Sequence, residues 1–308
     1  MRKGKGGQRE MAENGISKSI GTNDIEPYSP LNVNKKIDDM AAMKACLSFP
    51  QAFVLAILAG IYTGFGAQFA TLVTSDSVLN FGFTSFLMGL LFCMGIMSCA
   101  IAGAELFTSN VLVIMGYTSM RIPTSGLMYN WGVSYFGNFA GCIFMVGLMY
   151  MAHEYEFFQH RAGANALLIA HKKTDLSSTV AFSRAIMCNS MVCIGVWCSY
   201  SGKSVADKIA TLVLPIAGFV ASGWEHCIAN MYFIPMGLIL KSVPEVVSRA
   251  EKVYMHTYGH KLDISTLTWK TFFVDNLIPV TLGNIFGGII IGLALWFVYQ
   301  RPKSSIFS

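Results

Sequence analysis

Apolar residues in this chain are gathered into long stretches, and the polar residues lie almost entirely between them. The six stretches cover about residues 50–74, 81–118, 126–152, 179–200, 207–241 and 271–300. A helix needs about 20 predominantly apolar residues to cross a lipid bilayer. The pattern therefore predicts an all-α membrane protein with six transmembrane helices.

Two of these stretches are too long for a single crossing. As one straight helix, the second would measure about 57 Å, nearly twice the hydrocarbon thickness of about 30 Å. The fifth is almost as long, and both contain glycines and polar residues near the middle. We therefore predict that the second and fifth helices are broken.

The two halves of the chain share motifs in the same order. "GAELFTSN" (103–110) and "GWEHCIAN" (223–230) both read G-x-E-x-x-x-x-N, while "GNFAG" (137–141) and "GNIFG" (283–287) both read G-N-x-x-G. The residues assigned to the breaks and to the repeat are Gly103, Glu105, Gly223 and Asn230. Three spans in each half make the second copy inverted in the membrane, giving an inverted 3+3 repeat. Paired broken helices are typical of a permeation site.

The composition agrees with a membrane protein. Hydrophobic residues make up 54% of the chain and charged residues only 13%, about half the usual share in soluble domains. Mean hydropathy is +0.51. The predicted organisation is a disordered polar cytoplasmic arm at 1–38, a six-span channel domain at 39–301 and a short cytoplasmic tail at 302–308. The segment 38–49 either caps the mouth of the channel or only anchors the helix bundle.

The charged and sulfur-containing residues exclude several other classes. The basic start of the arm predicts solvation rather than nucleic-acid binding. No apolar core follows it, so we do not expect a signal peptide there. The chain has 8 cysteines, mostly within apolar stretches and without a CxxC pair, which favours buried thiols over disulfides or a metal site. "HEYEFFQH" (153–160) lacks the HExxH spacing. We expect no cofactor and no metal.

An even number of spans places both termini on the same side of the membrane. Lys and Arg are more numerous on that side, which the positive-inside rule assigns to the cytoplasm. We therefore expect a multi-pass protein of the plasma membrane with cytoplasmic termini. The connections on the opposite side are nevertheless unusually basic.

Three ionisable residues lie inside the spans: Glu105, Glu225 and His226. Such groups cost about 2.5–3.5 kcal/mol each on insertion scales, so they need hydrogen-bonding partners or a function. The glutamates occupy equivalent repeat positions, and we expect each carboxylate to accept hydrogen bonds from the loop of the other break.

His226 differs from the glutamates because its repeat counterpart is Leu106. Imidazole is the side chain that most readily gains or loses a proton near neutral pH. The first break offers hydroxyl and amide partners at Thr108, Ser109 and Asn110. Apolar residues that flank the breaks are Phe92, Ile96, Leu106, Phe107 and Phe219. We expect these to form two constrictions around the histidine.

Several long stretches resemble the formate/nitrite transporter family, and its bacterial formate channels in particular. They are "CNSMVCIGVWCSYSGKSVADK" (188–208), "VLPIAGFVASGWEHCIANMYFIPMGL" (213–238), "GAELFTSNVL" (103–112) and "NLIPVTLGNIFGGIIIGL" (276–293). The resemblance covers about residues 40–300. It implies an aquaporin-like arrangement of six spans and a homopentamer in which each subunit holds its own pore.

The resemblance also implies roles for individual residues. It assigns the central histidine to His226, the loop threonine to Thr108, a hydrogen-bonding asparagine to Asn189 and a vestibule lysine to Lys173. It places the constrictions on the five apolar residues named above. Ile96 stands where bacterial channels often have leucine, and Ser109 is glycine in some eukaryotic members.

The function that these features predict is a proton-coupled channel for small monocarboxylates or other monovalent anions, formate first and also nitrite, acetate and lactate. Moving a bare carboxylate through an apolar neck costs several kcal/mol, whereas protonating an acid of pKa about 4 at pH 7 costs about 4 kcal/mol. The alternatives are a proton-independent anion channel, a neutral small-molecule channel, and a membrane-embedded enzyme that uses Glu225 and His226 as acid and base.

Overall fold

The computed structural model describes residues 26–299, and over that range the chain is helical with no β-strand. The helices are α1 (Pro30–Ala45), α2 (Phe49–Thr74), α3 (Phe81–Ala102), α4 (Phe107–Asn110), α5 (Ile114–Thr118), α6 (Thr124–Met151), α7 (Phe157–Thr174), α8 (Ser178–Ser199), α9 (Val205–Ala221), α10 (Cys227–Leu240), α11 (Pro244–Tyr258) and α12 (Ile278–Tyr299). A 3-10 turn, Val111–Val113, joins α4 to α5, and a π-helical segment, Thr271–Leu277, leads directly into α12.

Six crossings of the membrane follow from these helices. Five helical segments are long and apolar enough by themselves: α2, α3, α6, α8, and α12 together with its π-helical start. The remaining span is the fifth predicted one, 207–241, which is divided between α9 and α10. The chain then bends by 109° from α10 into α11. The predicted six-span all-α fold is confirmed.

Both predicted helix breaks are present, and a glycine makes each turn. Gly103 has a φ of 74° and Gly223 a φ of 66°, the left-handed region that only glycine adopts without strain. Gly103 caps the C-terminus of α3, and its N–H donates to the Cys99 carbonyl. The chain resumes as α4 in the first half and as α10 in the second.

The asparagine of each G-N-x-x-G motif forms hydrogen bonds with backbone groups at the helix break of its own half. Asn138 on α6 accepts a hydrogen bond from the Phe107 N–H at 2.9 Å. Its amide nitrogen donates to the Glu105 carbonyl at 2.9 Å and to the Ala56 carbonyl at 2.7 Å. One side chain therefore satisfies backbone groups that the broken helix leaves free inside the bilayer.

Asn284 on α12 repeats this arrangement in the second half. It accepts from the Cys227 N–H at 2.8 Å and donates to the carbonyls of Glu225 and Ala185 at 3.0 and 2.8 Å. The same three bonds at equivalent positions confirm the predicted internal duplication.

Small residues allow the paired spans to pack closely. A Cβ added at Gly141 of α6 would lie 2.2 Å from the Ile57 carbonyl oxygen of α2. A Cβ at Gly287 of α12 would lie 2.2 Å from the Ile186 carbonyl oxygen of α8. Glycine at these positions lets the paired helices approach backbone to backbone, as is common between membrane helices. The first and third spans of each half therefore pack closely.

Helix α1 changes one sequence expectation. The polar arm was expected to be disordered over 1–38, but Ser29 caps a helix that starts at Pro30, and residues 1–25 lie outside the described range, as do 300–308. Val33 and Ile37 are buried with no exposed surface. Apolar residues at helical spacing bind α1 to the body of the protein, although charged residues between them conceal this pattern.

Candidate permeation site

His226 lies at the N-terminus of α10, where its ring joins the two broken helices. Its Nδ1 accepts a hydrogen bond from the Ala229 N–H at 3.1 Å, and its Nε2 lies 3.0 Å from the Thr108 hydroxyl oxygen. A backbone N–H can only donate, so Nδ1 carries no proton. The neutral ring therefore holds its proton on Nε2 and donates it to Thr108.

Aromatic rings enclose this pair on one side. His226 is 1% exposed and Thr108 has no exposed surface. The Phe219 ring is stacked on the imidazole with centroids 5.7 Å apart, and the Phe92 ring meets it edge-on at 6.5 Å. Phe233 packs against Phe92 at 6.4 Å. Phe233 was not predicted from the sequence, although its position two helical turns after His226 places it on the same helix face.

Two cavities approach the His226–Thr108 pair. The first, the α7-side vestibule, measures ≈ 430 Å³, and its lining includes Phe92, Phe219 and His226. The second, the α1-side vestibule, measures ≈ 370 Å³ and is lined by Leu106 and Ser109. Each cavity is therefore lined in part by residues that were predicted to form the constrictions or the central site.

The remaining predicted constriction residues, Ile96 and Phe107, are buried and line neither vestibule. The Phe107 ring packs edge-on against Tyr135 of α6, with centroids 5.0 Å apart. The structure thus brings Phe92 and Phe219 to one side of the histidine and Leu106 to the other.

Glu105 is held by partners from its own half of the chain. Its carboxylate accepts from the Lys44 ammonium at 2.6 Å, from the Asn110 amide at 2.7 Å and from the Asn130 amide at 3.0 Å. Lys44 is the penultimate residue of α1, and its ammonium also donates to the Asn110 side chain at 3.0 Å.

Glu225 is held by the equivalent residues of the second half. It accepts from the Lys173 ammonium at 2.9 Å, from the Asn230 amide at 2.6 Å and from the Asn276 amide at 3.4 Å. Lys173 is likewise the penultimate residue of its helix, α7. The positive charge of Lys173 is therefore balanced by the buried Glu225 carboxylate.

The expectation that each glutamate would bond the loop of the other break was wrong. The asparagine five residues later, in the first turn of the following half-helix, already lies beside the carboxylate. Lys44, Asn130 and Asn276 were not predicted from the sequence. The repeat contained the signal, because Asn130 and Asn276 both lie eight residues before the asparagine of the G-N-x-x-G motif.

Asn189 on α8 retains an unused acceptor. Its amide nitrogen donates to the Asn284 carbonyl at 2.7 Å. Its Oδ1 is buried and has no hydrogen-bond partner among residues 26–299. One helical turn later, the Cys193 thiol lies 3.8 Å from the Thr108 carbonyl oxygen, so this face of α8 lies beside the first break.

No group of three or more His, Cys, Asp or Glu residues that could hold a metal ion occurs within the described part of the chain. All the cysteines lie in that part and are unpaired.

Comparison with known proteins identifies the family. The model of the family described as formate/nitrite transporter matches residues 32–298. The chain belongs to this family. The formate channel FocA of Escherichia coli K12 is 38% identical over 288 residues, covering 91% of this chain and 98% of that protein. FocA of Haemophilus influenzae is 36% identical over 265 residues, covering 85% of this chain and 91% of that protein.

Solved structures agree with this family assignment. A structure described as a pentameric formate channel with formate bound has a TM-score of 0.71 and 37% identity, and covers 82% of this chain and 98% of that chain. A second, described as an FNT family ion channel, has a TM-score of 0.71 at 24% identity, covers 87% of this chain and 98% of that chain, and supports the fold alone. These relatives are channels and transporters rather than enzymes, so this formate/nitrite transporter family member is an integral membrane protein of that class and not an enzyme.

Proposed function

We propose that this family member is a proton-coupled channel for small monocarboxylates and other monovalent anions, with formate first and nitrite, acetate and lactate as further substrates. The observation that carries the proposal is the neutral His226–Thr108 pair, buried between Phe92 and Phe219 on one side and Leu106 on the other. An anion that enters this centre meets apolar walls and no unpaired positive charge.

The energetic comparison favours crossing as the neutral acid. A bare carboxylate loses its hydration in such a neck, which costs several kcal/mol per ion. Protonating formate from neutral water costs about 4 kcal/mol. The anion therefore takes up a proton before it passes His226 and releases it on the far side, which couples the flux to the proton gradient.

The hydrogen bonds of His226 indicate how it controls this step. A second proton on the ring would have to go on Nδ1, where the Ala229 N–H already donates. Giving up the Nε2 proton instead would leave an imidazolate. The ring therefore stays neutral, and the proton reaches the anion through water that is hydrogen-bonded to the His226–Thr108 pair, so the histidine controls the route.

Two buried hydrogen-bonding groups, Thr108 and Asn189, suit a neutral acid. Thr108 Oγ1 accepts from His226, so its own hydroxyl hydrogen remains to be donated to a carbonyl oxygen of the substrate. Asn189 Oδ1 is an unused buried acceptor. A carboxylic acid has an O–H that could donate to such an acceptor, whereas a carboxylate has none.

Assembly and placement complete the proposal. We infer a homopentamer in the plasma membrane with cytoplasmic termini, since the related formate channel is described as pentameric and positive charge is more frequent on the terminal side. Large apolar side chains are exposed on the outside of the spans, with Phe136 67% and Phe286 51% exposed. These surfaces face lipid or neighbouring subunits.

The deciding experiment measures uptake of labelled formate and lactate into proteoliposomes, with and without an inward proton gradient. Protein-free liposomes from the same lipids correct for formic acid that crosses the lipid directly. We expect uptake that the gradient stimulates. Anion flux that ignores the gradient would instead identify a plain anion channel, and the ratio of the two substrates names the preferred carboxylate.

A further inference from the structure

The two vestibules are lined by equivalent positions of the internal repeat, and this makes their differences informative. Lys44 and Glu105 line the α1-side vestibule, and their counterparts Lys173 and Glu225 line the α7-side vestibule. Each pair forms one ion pair, at 2.6 and 2.9 Å. The lysine and the glutamate that the two linings have in common therefore contribute no net charge.

The residue before each lysine differs between the halves. Met43 precedes Lys44, and Lys172 precedes Lys173; each lines the vestibule on its own side. The repeat thus places a cation at the α7-side vestibule where the α1-side vestibule has a thioether.

A second difference lies on the first span of each half. Ala56 and Ala185 are equivalent, because their carbonyls bind the two motif asparagines. The preceding residues, Leu55 and Arg184, line the α1-side and the α7-side vestibule respectively. Leucine on one side therefore corresponds to arginine on the other.

The Arg184 guanidinium lies beside the second break. Its Nη1 donates to the Gly223 carbonyl at 3.4 Å, three residues before His226. A guanidinium has five N–H donors in a planar fork that fits a carboxylate with two parallel hydrogen bonds. Glu225 is the one acidic residue among the described residues that line this vestibule, and Lys173 already balances it.

The α1-side vestibule has a different set of cations. Lys208 lines it, whereas Lys36 and Lys203 lie in an adjoining cavity, with their ammonium groups 3.1 and 5.2 Å from the Tyr28 ring centroid. No arginine lines the α1-side vestibule among the described residues. A planar bidentate donor is thus a feature of the α7 side.

We propose that Arg184, assisted by Lys172, forms a binding site for carboxylates and other planar oxyanions in the α7-side vestibule, which an anion occupies before it reaches His226. This site rests on the proposed function and names where its substrate first binds. The α1 side has no equivalent, so the two directions of transport saturate at different substrate concentrations.

The expected asymmetry has a defined form. With equal pH on both sides, a passive pathway has the same permeability in both directions at low substrate concentration. A binding site on one side lowers the half-saturation concentration measured from that side and lowers the maximum rate in proportion. The α7-side half-saturation concentration for formate should therefore be the smaller one.

The test measures labelled formate flux against concentration from each side, in proteoliposomes sorted by protein orientation. Arg184→Leu installs the repeat counterpart, and Arg184→Lys keeps the charge but removes the fork. Lys252→Met is the matched control, because Lys252 is an exposed cation on α11 that does not line the vestibule.

We expect Arg184→Leu to raise the α7-side half-saturation concentration by about ten-fold, the effect of losing a charge-assisted hydrogen bond. The α1-side half-saturation concentration should not change. The α7-side value of Arg184→Lys should lie between those of the wild type and Arg184→Leu, and that of Lys252→Met should match the wild type. If Arg184→Leu does not assemble, Lys172→Met tests the same site with a smaller rise expected.

Equal half-saturation concentrations from the two sides of the wild type, or an unchanged value in Arg184→Leu, would overturn the site. A wild-type value in Arg184→Lys would overturn recognition by the fork. Absence of formate flux in the wild type would instead count against the proposed function, so the two failures are distinguishable.

Discussion

The Nε2 atom of His226 lies 3.0 Å from the hydroxyl oxygen of Thr108, a residue 118 positions earlier in the chain. One hydrogen bond thus joins the two broken helices at the closed centre between the vestibules. Because the other ring nitrogen caps α10, the imidazole has both a structural and a chemical role. Variants that separate these roles are the most informative tests.

The first prediction separates the two roles of His226. His226→Phe removes the cap and the Thr108 bond, and we expect it to abolish uptake driven by a proton gradient. His226→Asn keeps a side chain that is well suited to the N-cap position, but its amide is too short to replace the bond to Thr108. Formate flux should persist in His226→Asn without gradient stimulation, and labelled-formate uptake at two external pH values checks this.

Undiminished acid-driven uptake in either His226 variant would eliminate the histidine as the controlling group. The thermal transition of each purified variant is the control for folding. His226→Phe should lose about 1 kcal/mol from the missing cap, whereas His226→Asn should stay near the wild type.

The second prediction concerns the unused acceptor of Asn189. Asn189→Leu removes Oδ1 and also the amide that donates to the Asn284 carbonyl. We expect formate permeability to fall by about ten-fold, the equivalent of one lost hydrogen bond to the crossing acid. Asn189→Asp would place a charge in the neck and should reduce flux further. Initial uptake rates measure both effects, and wild-type rates in Asn189→Leu would show that Oδ1 does not contact the substrate.

The third prediction concerns the buried ion pairs. Glu225→Gln leaves the Lys173 ammonium mostly buried, with 15% of its side chain exposed and no counter-charge. We expect a loss of about 3 kcal/mol in stability, and the double change with Lys173→Met should recover most of it. Thermal unfolding of the detergent-solubilised protein ranks the variants by stability.

The exposed pair Arg121–Asp39, with side chains 50% and 66% exposed, is the matched control. Asp39→Asn should change stability by less than about 1 kcal/mol. Since the repeat gives Glu105 the same environment, Glu105→Gln should behave like Glu225→Gln. A Glu225→Gln variant as stable as Asp39→Asn would contradict a structural role for the pair.

The fourth prediction distinguishes two reasons for glycine. Gly287→Ala would press a methyl group against the Ile186 carbonyl and should cost about 1–3 kcal/mol as α8 and α12 move apart. Gly223→Ala meets no neighbour, but its φ of 66° is strained for alanine and should cost about 1 kcal/mol. Gly147→Ala, with open space and no positive φ, should be neutral. Thermal transitions in this order would support the packing argument, and equal values for all three would contradict it.

Some parts of the fold were predictable because they depend only on distance along the chain. A span requires a certain length of apolar sequence, so all six crossings were located from the sequence. The breaks were located because two stretches exceed the bilayer thickness. The part of helix α1 before residue 38 was missed because its apolar residues are few and charged residues lie between them, so only its packing against the body reveals it.

The candidate site was predicted less completely. The repeat and the family resemblance located His226, Thr108 and Asn189, but the residues that bind the two glutamates were assigned to the wrong half of the protein. A sequence motif shows that a buried carboxylate needs partners, but it does not show which amide reaches within 3 Å. Phe233 was missed for the same reason, since its role depends on its packing against Phe92.

The sequence by itself determined the number of spans, the two breaks and the duplication, because hydrophobic length and repeated motifs are properties of a one-dimensional chain. Only the tertiary structure decided that Thr108 is the partner of His226, that Lys44 and Lys173 are balanced by glutamates, and that Arg184 lines one vestibule. Hydrogen bonds and ion pairs depend on ångström distances and on direction, and these are set only when the helices from both halves pack together.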